Sequence, residues 1–149
     1  MYSTADAVFK MNFDDRSMSV VIPDREDAKD YALDFSNHFG YLAYIVNESL
    51  TLHLRDLNTG LEDRIVLDKA QIAYGMLSWS PDDRYIVFRG SSQDNLLDYS
   101  LWLLSVNDLS VIRLLPDDER DLTTAGWMDN ITIRLYEAGS GNSVPLFFN

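Results

Sequence analysis

The chain has 149 residues, 46% of them apolar, which is enough for one domain with a hydrophobic core. Its 24 acidic and 12 basic residues leave a net charge of −12, which repels phosphate backbones and anionic lipids, so we expect no nucleic-acid partner. The sequence has no cysteine and no apolar run of the roughly 18 residues that a membrane helix needs, which argues against disulfides, cysteine-ligated zinc and membrane insertion.

Alternating polar and apolar residues predict a β-hairpin over residues 8–22. Phe9, Met11 and Phe13 alternate with polar residues, a polar turn follows, and residues 18–22 form a second apolar run. Pro23 ends the hairpin because proline cannot donate a hydrogen bond to a strand ladder.

The acidic segment 24–34 has two interpretations. Ala28, Tyr31 and Phe35 have helical spacing and acidic residues stand near the start, which favours a single helical turn. The density of charged residues is equally typical of a connecting loop. Both interpretations stay open at the level of sequence.

One stretch of the chain occurs twice, at an offset of 44 residues. Residues 35–44 (FSNHFGYLAY) and 79–88 (WSPDDRYIVF) each contain an aromatic residue, a serine, a tight turn and an apolar strand. A period of about 40–50 residues is typical of a stacked or radial repeat architecture. Because each copy continues into two more strands, the sequence predicts four-stranded units at 33–67 and 77–115.

A third copy begins near Trp127 and supplies a further partial unit over 124–149. Its turn is shortened to Met128-Asp129-Asn130, and Ile131, Ile133 and Leu135 then alternate with polar residues or tyrosine. The repeated tryptophans Trp79 and Trp127 are predicted to pack in the core between neighbouring sheets.

The second copy, with the Leu101-Trp102-Leu103-Leu104 strand that follows it, resembles the WD40-like repeat of TolB-type β-propellers. The blade of that family carries a W-S-P-D-G turn, an I-A-F strand and then an L-W-like strand with a polar turn. In the first copy Asn37-His38-Phe39-Gly40 replaces the P-D-G turn, and Asp83 stands where the family has glycine. The motif asks for a left-handed residue at position 83, which Asp tolerates less well than Gly.

The predicted fold class is therefore all-β, with antiparallel four-stranded blade-like sheets that form a partial β-propeller. Propellers have about 4–8 blades, and four blades of about 45 residues need roughly 180 residues. Three explanations stay open for this chain: an excerpt of a larger propeller, a homodimer whose open blade edges pair into a ring, and a compact β domain that is not a propeller.

The residue patterns of catalysis and metal binding do not occur in this sequence. His38 lies in a predicted turn and His53 on a predicted strand, and no H-E-x-x-H, calcium-loop or G-x-S-x-G pattern is present. We therefore expect no catalytic residue, no cofactor and no metal, and we interpret acidic turns such as Asp82-Asp83 as solvated surface.

The predicted function is that of a non-enzymatic scaffold for a protein partner. Binding residues concentrate on loops held by a rigid frame, and the loops at 24–30 and 91–98 fit this description, as does Trp102 if it is partly exposed. The candidate partner-binding residues are Asp24, Arg25, Glu26, Lys29, Gln93, Asp94, Asn95 and Trp102.

The resemblance to TolB-type repeats implies a protein-binding role and favours an extracytoplasmic compartment. Similar repeats also form the propeller of prolyl-oligopeptidase-like serine peptidases, where the blades gate access to a separate hydrolase domain. The alternative function is therefore that of a propeller accessory region for such a peptidase, in a chain that lacks the catalytic domain.

Overall fold

A computed structural model gives the fold of this chain. The structure describes residues 8–11, 14–22, 31–38, 40–46, 51–67, 70–92, 99–114, 122–137 and 140–147. Within these ranges the chain forms β-strands and no helix, so the all-β prediction is confirmed. The strands are β1 (Val8–Met11), β2 (Met18–Ile22), β3 (Tyr31–Phe35), β4 (Tyr41–Val46), β5 (Thr51–Asp56), β6 (Glu62–Val66), β7 (Ala70–Trp79), β8 (Tyr85–Ser92), β9 (Tyr99–Ser105), β10 (Val111–Arg113), β11 (Leu122–Trp127), β12 (Thr132–Glu137) and β13 (Ser143–Phe147).

The strands form four antiparallel sheets, each connected in sequence order. β1 and β2 form the N-terminal hairpin, β3 to β6 the first sheet, β7 to β10 the second sheet and β11 to β13 the third sheet. The first strand of the second sheet, β7, contacts β3 on one side and β11 on the other. The first strands of successive sheets therefore adjoin, which is the arrangement of blades around a propeller axis.

The second sheet is covered on both faces, which explains its continuous apolar runs. Ile86 and Phe88 point toward the first sheet, whereas Val87 points toward the third sheet, because side chains alternate along a strand. All three are completely buried. Burying a side chain of this size contributes about 1.5–3 kcal/mol, so the two faces together provide most of the apolar stabilisation of the described core.

The internal repeat is visible in the structure as well as in the sequence. The Ser36 hydroxyl accepts the backbone N–H of Tyr41 at 3.0 Å, and the Ser80 hydroxyl accepts that of Tyr85 at 2.9 Å. Each serine also donates its own N–H to the carbonyl of the same tyrosine. A serine placed before a tight turn thus closes that turn in the same way in both copies.

The strands differ from the sequence-based prediction at some boundaries. Tyr31–Phe35 is strand β3 rather than part of a helical turn, because it pairs along its whole length with β4. Ile131 does not extend the buried row of Ile133 and Leu135: it lies in the turn before β12 and is 48% exposed. Ladder pairing and burial, rather than spacing alone, decide both cases.

Candidate functional site

The turns of the first and second sheets meet at one end of the stack. Asp83 has the left-handed backbone that the motif predicts at this position, with φ of 57°. Its Oδ1 accepts the Asn37 backbone N–H at 2.6 Å and the Asn37 side-chain amide at 2.8 Å. Its Oδ2 accepts the His38 backbone N–H at 2.9 Å and lies 2.6 Å from His38 Nδ1. We call Asp83 with Asn37 and His38 the Asp83 bridge.

The electrostatics of the Asp83 bridge favour an ionised carboxylate. Burial raises the pKa of Asp83, but the hydrogen bonds from His38 and Asn37 lower it by a larger amount. The pKa of Asp83 therefore lies below its ordinary value. The Asp83 side chain is 13% exposed, whereas the His38 side chain is 76% exposed. The bridge thus joins two turns through a mostly buried carboxylate and an imidazole that faces solvent.

Tryptophan indoles tie each sheet to the one before it. Trp79 donates its Nε1–H to the Asp34 carbonyl at 3.1 Å, and Trp127 donates its Nε1–H to the Ser78 carbonyl at 3.1 Å. Asp34 and Ser78 are equivalent positions, each directly before the repeated aromatic residue. The core position predicted for Trp79 is confirmed. Trp127 is partly buried against the apolar side chains between the second and third sheets, which include Val87 and Ile133.

Aspartates close several of the turns between adjacent strands. Each accepts the backbone N–H of the residue two positions later, and these residues are Asp15, Asp56, Asp82, Asp108 and Asp129. Backbone hydrogen bonds lower the pKa of Asp56 and of Asp129 below the ordinary value. These carboxylates thus serve as hydrogen-bond acceptors within their turns. In the described ranges, no three acidic or histidine side chains are arranged to hold a metal ion.

A second polar cluster lies on the face of the first sheet that points away from the second sheet. Glu62 accepts hydrogen bonds from the buried Tyr44 hydroxyl and from His53 Nδ1, the latter at 3.0 Å. Arg64 Nε is 3.3 Å and Arg55 3.8 Å from the same carboxylate. We call these five residues the Glu62 cluster.

The Glu62 cluster is held together by a charge that stays ionised. Burial raises the pKa of Glu62, but the hydrogen bonds from Tyr44 and His53 and the nearby positive charges outweigh this effect, and the pKa is lowered. The Tyr44 and His53 rings stack with centroids 4.7 Å apart. A buried hydroxyl and a buried imidazole therefore both have their acceptor in one carboxylate.

The two histidines belong to different clusters, and the Nδ1–H of each donates a hydrogen bond to a carboxylate. A carboxylate that binds one ring nitrogen orients the imidazole, as it does in acid–base sites. Here the bonds connect strands and turns of the frame: His38 bridges two sheets, and His53 lies buried within one. The His38 contact therefore fixes the first sheet against the second, and the His53 contact fixes strands within the first sheet.

The structure places only one of the sequence-predicted binding residues. Trp102 is 7% exposed and belongs to the core between the first and second sheets, so its expected role as an exposed anchor is wrong. The reason is that the first sheet covers the face of β9 to which Trp102 points. The other candidates lie outside the described residues: Asp24, Arg25, Glu26, Lys29, Gln93, Asp94 and Asn95.

Sequence analysis missed the partners of Asp83 and the whole Glu62 cluster. Asp83 in place of the family's glycine was a visible signal, but its acceptor role needs the neighbouring turn, 45 residues or more away. Glu62 had no such signal, because it stands in a charged stretch typical of an exposed strand.

The sequence matches no family model, and it matches no curated protein. Solved structures do match it. TolB from Acinetobacter baumannii aligns with 99% of the chain at 19% identity, with a TM-score of 0.62. An oligogalacturonate lyase from Vibrio parahaemolyticus aligns with 88% at 15% identity and a TM-score of 0.68, and an acylaminoacyl peptidase from Pyrococcus horikoshii with 95% at 14% identity and a TM-score of 0.60.

These similarities define the fold as that of a TolB-like β-propeller, of which this chain forms a part. The chain spans 39% of the TolB and lyase chains and 27% of the peptidase chain. TolB, a lyase and a peptidase share this fold, so the fold by itself does not define an activity. Among the described residues, no helix has the length and apolar character needed to cross a membrane.

Proposed function

We propose that this chain is a non-enzymatic scaffold of the TolB-like propeller type that binds a protein partner. The observation that carries the proposal is the use of its ionisable groups: Asp83, Glu62, His38 and His53 bond to one another or to backbone groups of the frame. Side chains engaged in this way stabilise a rigid set of sheets. A rigid frame of this kind presents its connecting loops to a partner.

The partner-binding regions that we propose are the segments at 24–30 and 93–98. Ser91 and Ser92, which were expected to begin the second loop, belong to strand β8. Both are polar and both connect strands of the repeated units. Long polar connections on a stacked frame are where insertions are tolerated and where binding residues concentrate.

Affinity capture with two loop variants tests this function. One variant carries Gln93→Ala, Asp94→Ala and Asn95→Ala, and the other carries Arg25→Ala and Lys29→Ala. Asn58→Ala with Thr59→Ala, in an exposed described turn, is the matched control. A partner should be recovered with the wild type and the control and reduced about tenfold with at least one loop variant, which corresponds to about 1.4 kcal/mol of binding free energy.

Two results would count against the scaffold. Recovery of no partner above a folded unrelated control opposes the function itself. Recovery of a partner equally by all variants leaves the function standing and shows that the segments at 24–30 and 93–98 are not the binding regions.

A second candidate is the propeller region of a prolyl-oligopeptidase-like serine peptidase. It is favoured by the similarity to Pyrococcus horikoshii acylaminoacyl peptidase and to Porphyromonas gingivalis dipeptidyl peptidase 4, which matches over 100% of this chain at 13% identity. The two candidates differ in what the native gene product contains. A fluorophosphonate probe should label the native product, recovered with an antibody to this chain, only if the peptidase candidate is correct.

A further inference from the structure

Two joints hold the first, second and third sheets together. We call the packing between the first and second sheets the first joint, and the packing between the second and third sheets the second joint. In a stack of repeated units each unit contacts only its neighbours, so the stability of the stack is close to the sum of its units and its joints. The two joints can therefore be compared, and the weaker joint is the place where the stack opens locally.

One polar contact is the same in both joints. Trp79 donates its indole N–H across the first joint to the Asp34 carbonyl, and Trp127 donates its indole N–H across the second joint to the Ser78 carbonyl. Both distances are 3.1 Å. Because these bonds are equivalent in the repeat, a difference in strength between the joints must come from the apolar core or from the turns.

The apolar core of the first joint is the larger of the two. Among the described residues, eleven buried apolar side chains pack in the first joint, and two of them are the tryptophans Trp79 and Trp102. The buried apolar side chains described in the second joint are five, all aliphatic: Val87, Leu101, Leu103, Ile133 and Leu135. Four partly buried apolar residues flank each set. Because apolar stabilisation follows the area removed from water, the second joint is held less strongly.

The turns at the two joints differ in their hydrogen-bond acceptor. Across the first joint, both carboxylate oxygens of Asp83 accept hydrogen bonds from the turn of the first sheet. The turn of the third sheet also contains an aspartate, Asp129, but its Oδ1 accepts the Ile131 backbone N–H at 2.9 Å and its Oδ2 accepts the Thr132 hydroxyl at 3.0 Å. Asp129 therefore closes its own turn, whereas Asp83 holds a neighbouring one.

The turns also differ in their hydrogen-bond donor. In the first sheet, the Asn37 backbone N–H reaches across the first joint to Asp83 at 2.6 Å. The equivalent position in the turn of the second sheet is Pro81, which has no N–H. The second joint therefore lacks this donor on one side, and on its other side the carboxylate of Asp129 is bonded within its own turn.

We propose that the chain opens at the second joint while the first joint stays closed. In the opened form the third sheet separates from a body made of the first and second sheets, and the strand pairing of β7 to β10 stays intact. Opening uncovers Val87 and Leu103 on the second sheet, which are buried against the third sheet in the closed form. The proposal concerns the frame itself and goes beyond the proposed binding function.

Native-state hydrogen exchange of the 149-residue chain, measured by mass spectrometry at urea concentrations below the unfolding transition, tests the proposal. The strands to compare are β4, β8 and β12, because each is paired on both sides within its sheet. The amides of β12 should be at least about tenfold less protected than those of β4 and β8. Their exchange should also depend less on urea, because opening one joint exposes less surface than global unfolding does.

Two variants that weaken the first joint give a sharper test. Trp79→Phe removes the indole bond, and Asp83→Gly removes the Asp83 bridge. Each should lower the protection of β4 and β8 by about fivefold or more. Each should leave the protection of β12 unchanged, because the first joint is still closed when β12 exchanges. Trp127→Phe is the matched variant in the second joint and should lower the protection of all three strands, because the second joint opens before the chain unfolds globally.

Three results would overturn the proposal. Equal protection and equal urea dependence of β4, β8 and β12 would mean that the sheets open together. A loss of protection in β12 as large as that in β8, in Trp79→Phe or Asp83→Gly, would mean the same. Higher protection of β12 than of β4 would place the weaker joint elsewhere. Circular dichroism verifies the fold of each variant before it is compared. None of these measurements involves the partner of the proposed scaffold, so the two proposals fail independently.

Discussion

Replacing Asp83 with glycine tests whether the Asp83 bridge stabilises the fold. Glycine is the residue that the propeller motif expects here, and it adopts the left-handed backbone without strain, which favours the variant by about 1 kcal/mol. The variant also removes an acceptor that binds four donors on Asn37 and His38.

The lost hydrogen bonds should outweigh the relief of strain. Each hydrogen bond contributes about 0.5–1.5 kcal/mol net, and the freed donors lie in an exposed turn where water can reach them, so we assign about 3 kcal/mol to the four bonds together. Subtracting the relief of strain leaves a destabilisation of about 2 kcal/mol for Asp83→Gly. Urea unfolding followed by tryptophan fluorescence measures this change.

Arg16 provides the matched control, because it is also a left-handed residue, with φ of 59°, on an exposed turn. Arg16→Gly should be neutral or stabilising by up to about 1 kcal/mol, because there only the backbone effect operates. Opposite signs for the two glycine variants would support the bridge. If Asp83→Gly is as stable as the wild type or more stable, the bridge contributes nothing net and our account of it is wrong.

Three further predictions concern the core and the carboxylates. Trp79→Phe should lower the free energy of unfolding, measured in urea, by about 1 kcal/mol more than Trp102→Phe. The reason is that Trp79 loses a hydrogen bond to a carbonyl, whereas the buried Trp102 N–H has no hydrogen-bond partner in the described structure. Equal losses would contradict this prediction. Glu62→Ala should destabilise by about 2–4 kcal/mol, since it removes the carboxylate that accepts hydrogen bonds from a buried hydroxyl and a buried imidazole. A loss under about 0.5 kcal/mol would refute this prediction. Because the folded-state pKa values of Asp83 and Glu62 are lowered, the stabilisation that these carboxylates provide is complete above their unfolded-state pKa values, which are near 4, and is lost as the pH falls further. A free energy of unfolding that is constant from pH 5 to pH 2.5 would contradict this prediction.

The strands and the buried faces could be predicted because they depend on the local pattern of apolar and polar residues. Ile86, Val87 and Phe88 form a continuous apolar run, and such a run requires cover on both faces wherever the strand lies. The repeat then adds the order of the sheets. Trp102 shows the limit of this reasoning: alternation assigns a side chain to one face of its strand, but only the stacking of sheets determines whether that face is covered.

The polar clusters could not be predicted because they depend on register and on contacts between repeats. Glu62 pairs with Arg55 and lies near His53 and Tyr44 only because β4, β5 and β6 align in one particular register. A shift of a single residue would place these side chains on opposite faces. The sequence by itself leaves that register open.

Two departures from the repeat motif make sense only together. Asn37 occupies the position that Pro81 holds in the second copy, so the first turn has a backbone N–H that proline lacks, and this N–H donates to Asp83. Asp83 in turn occupies the position of the motif's glycine. The donor gained in one turn thus matches the acceptor gained in the next, although each change taken separately makes its own turn less regular.

A double-mutant cycle can measure this coupling. Asn37→Pro and Asp83→Gly each restore the motif in one turn and each remove the Asn37 N–H bond, together with the other bonds of the replaced side chain. The second substitution therefore has less to remove once the first is present. We expect the double variant to be more stable than the sum of the single losses by about 1–2 kcal/mol in urea unfolding. Additive losses within about 0.3 kcal/mol would mean that the contact between the two turns contributes no coupling energy.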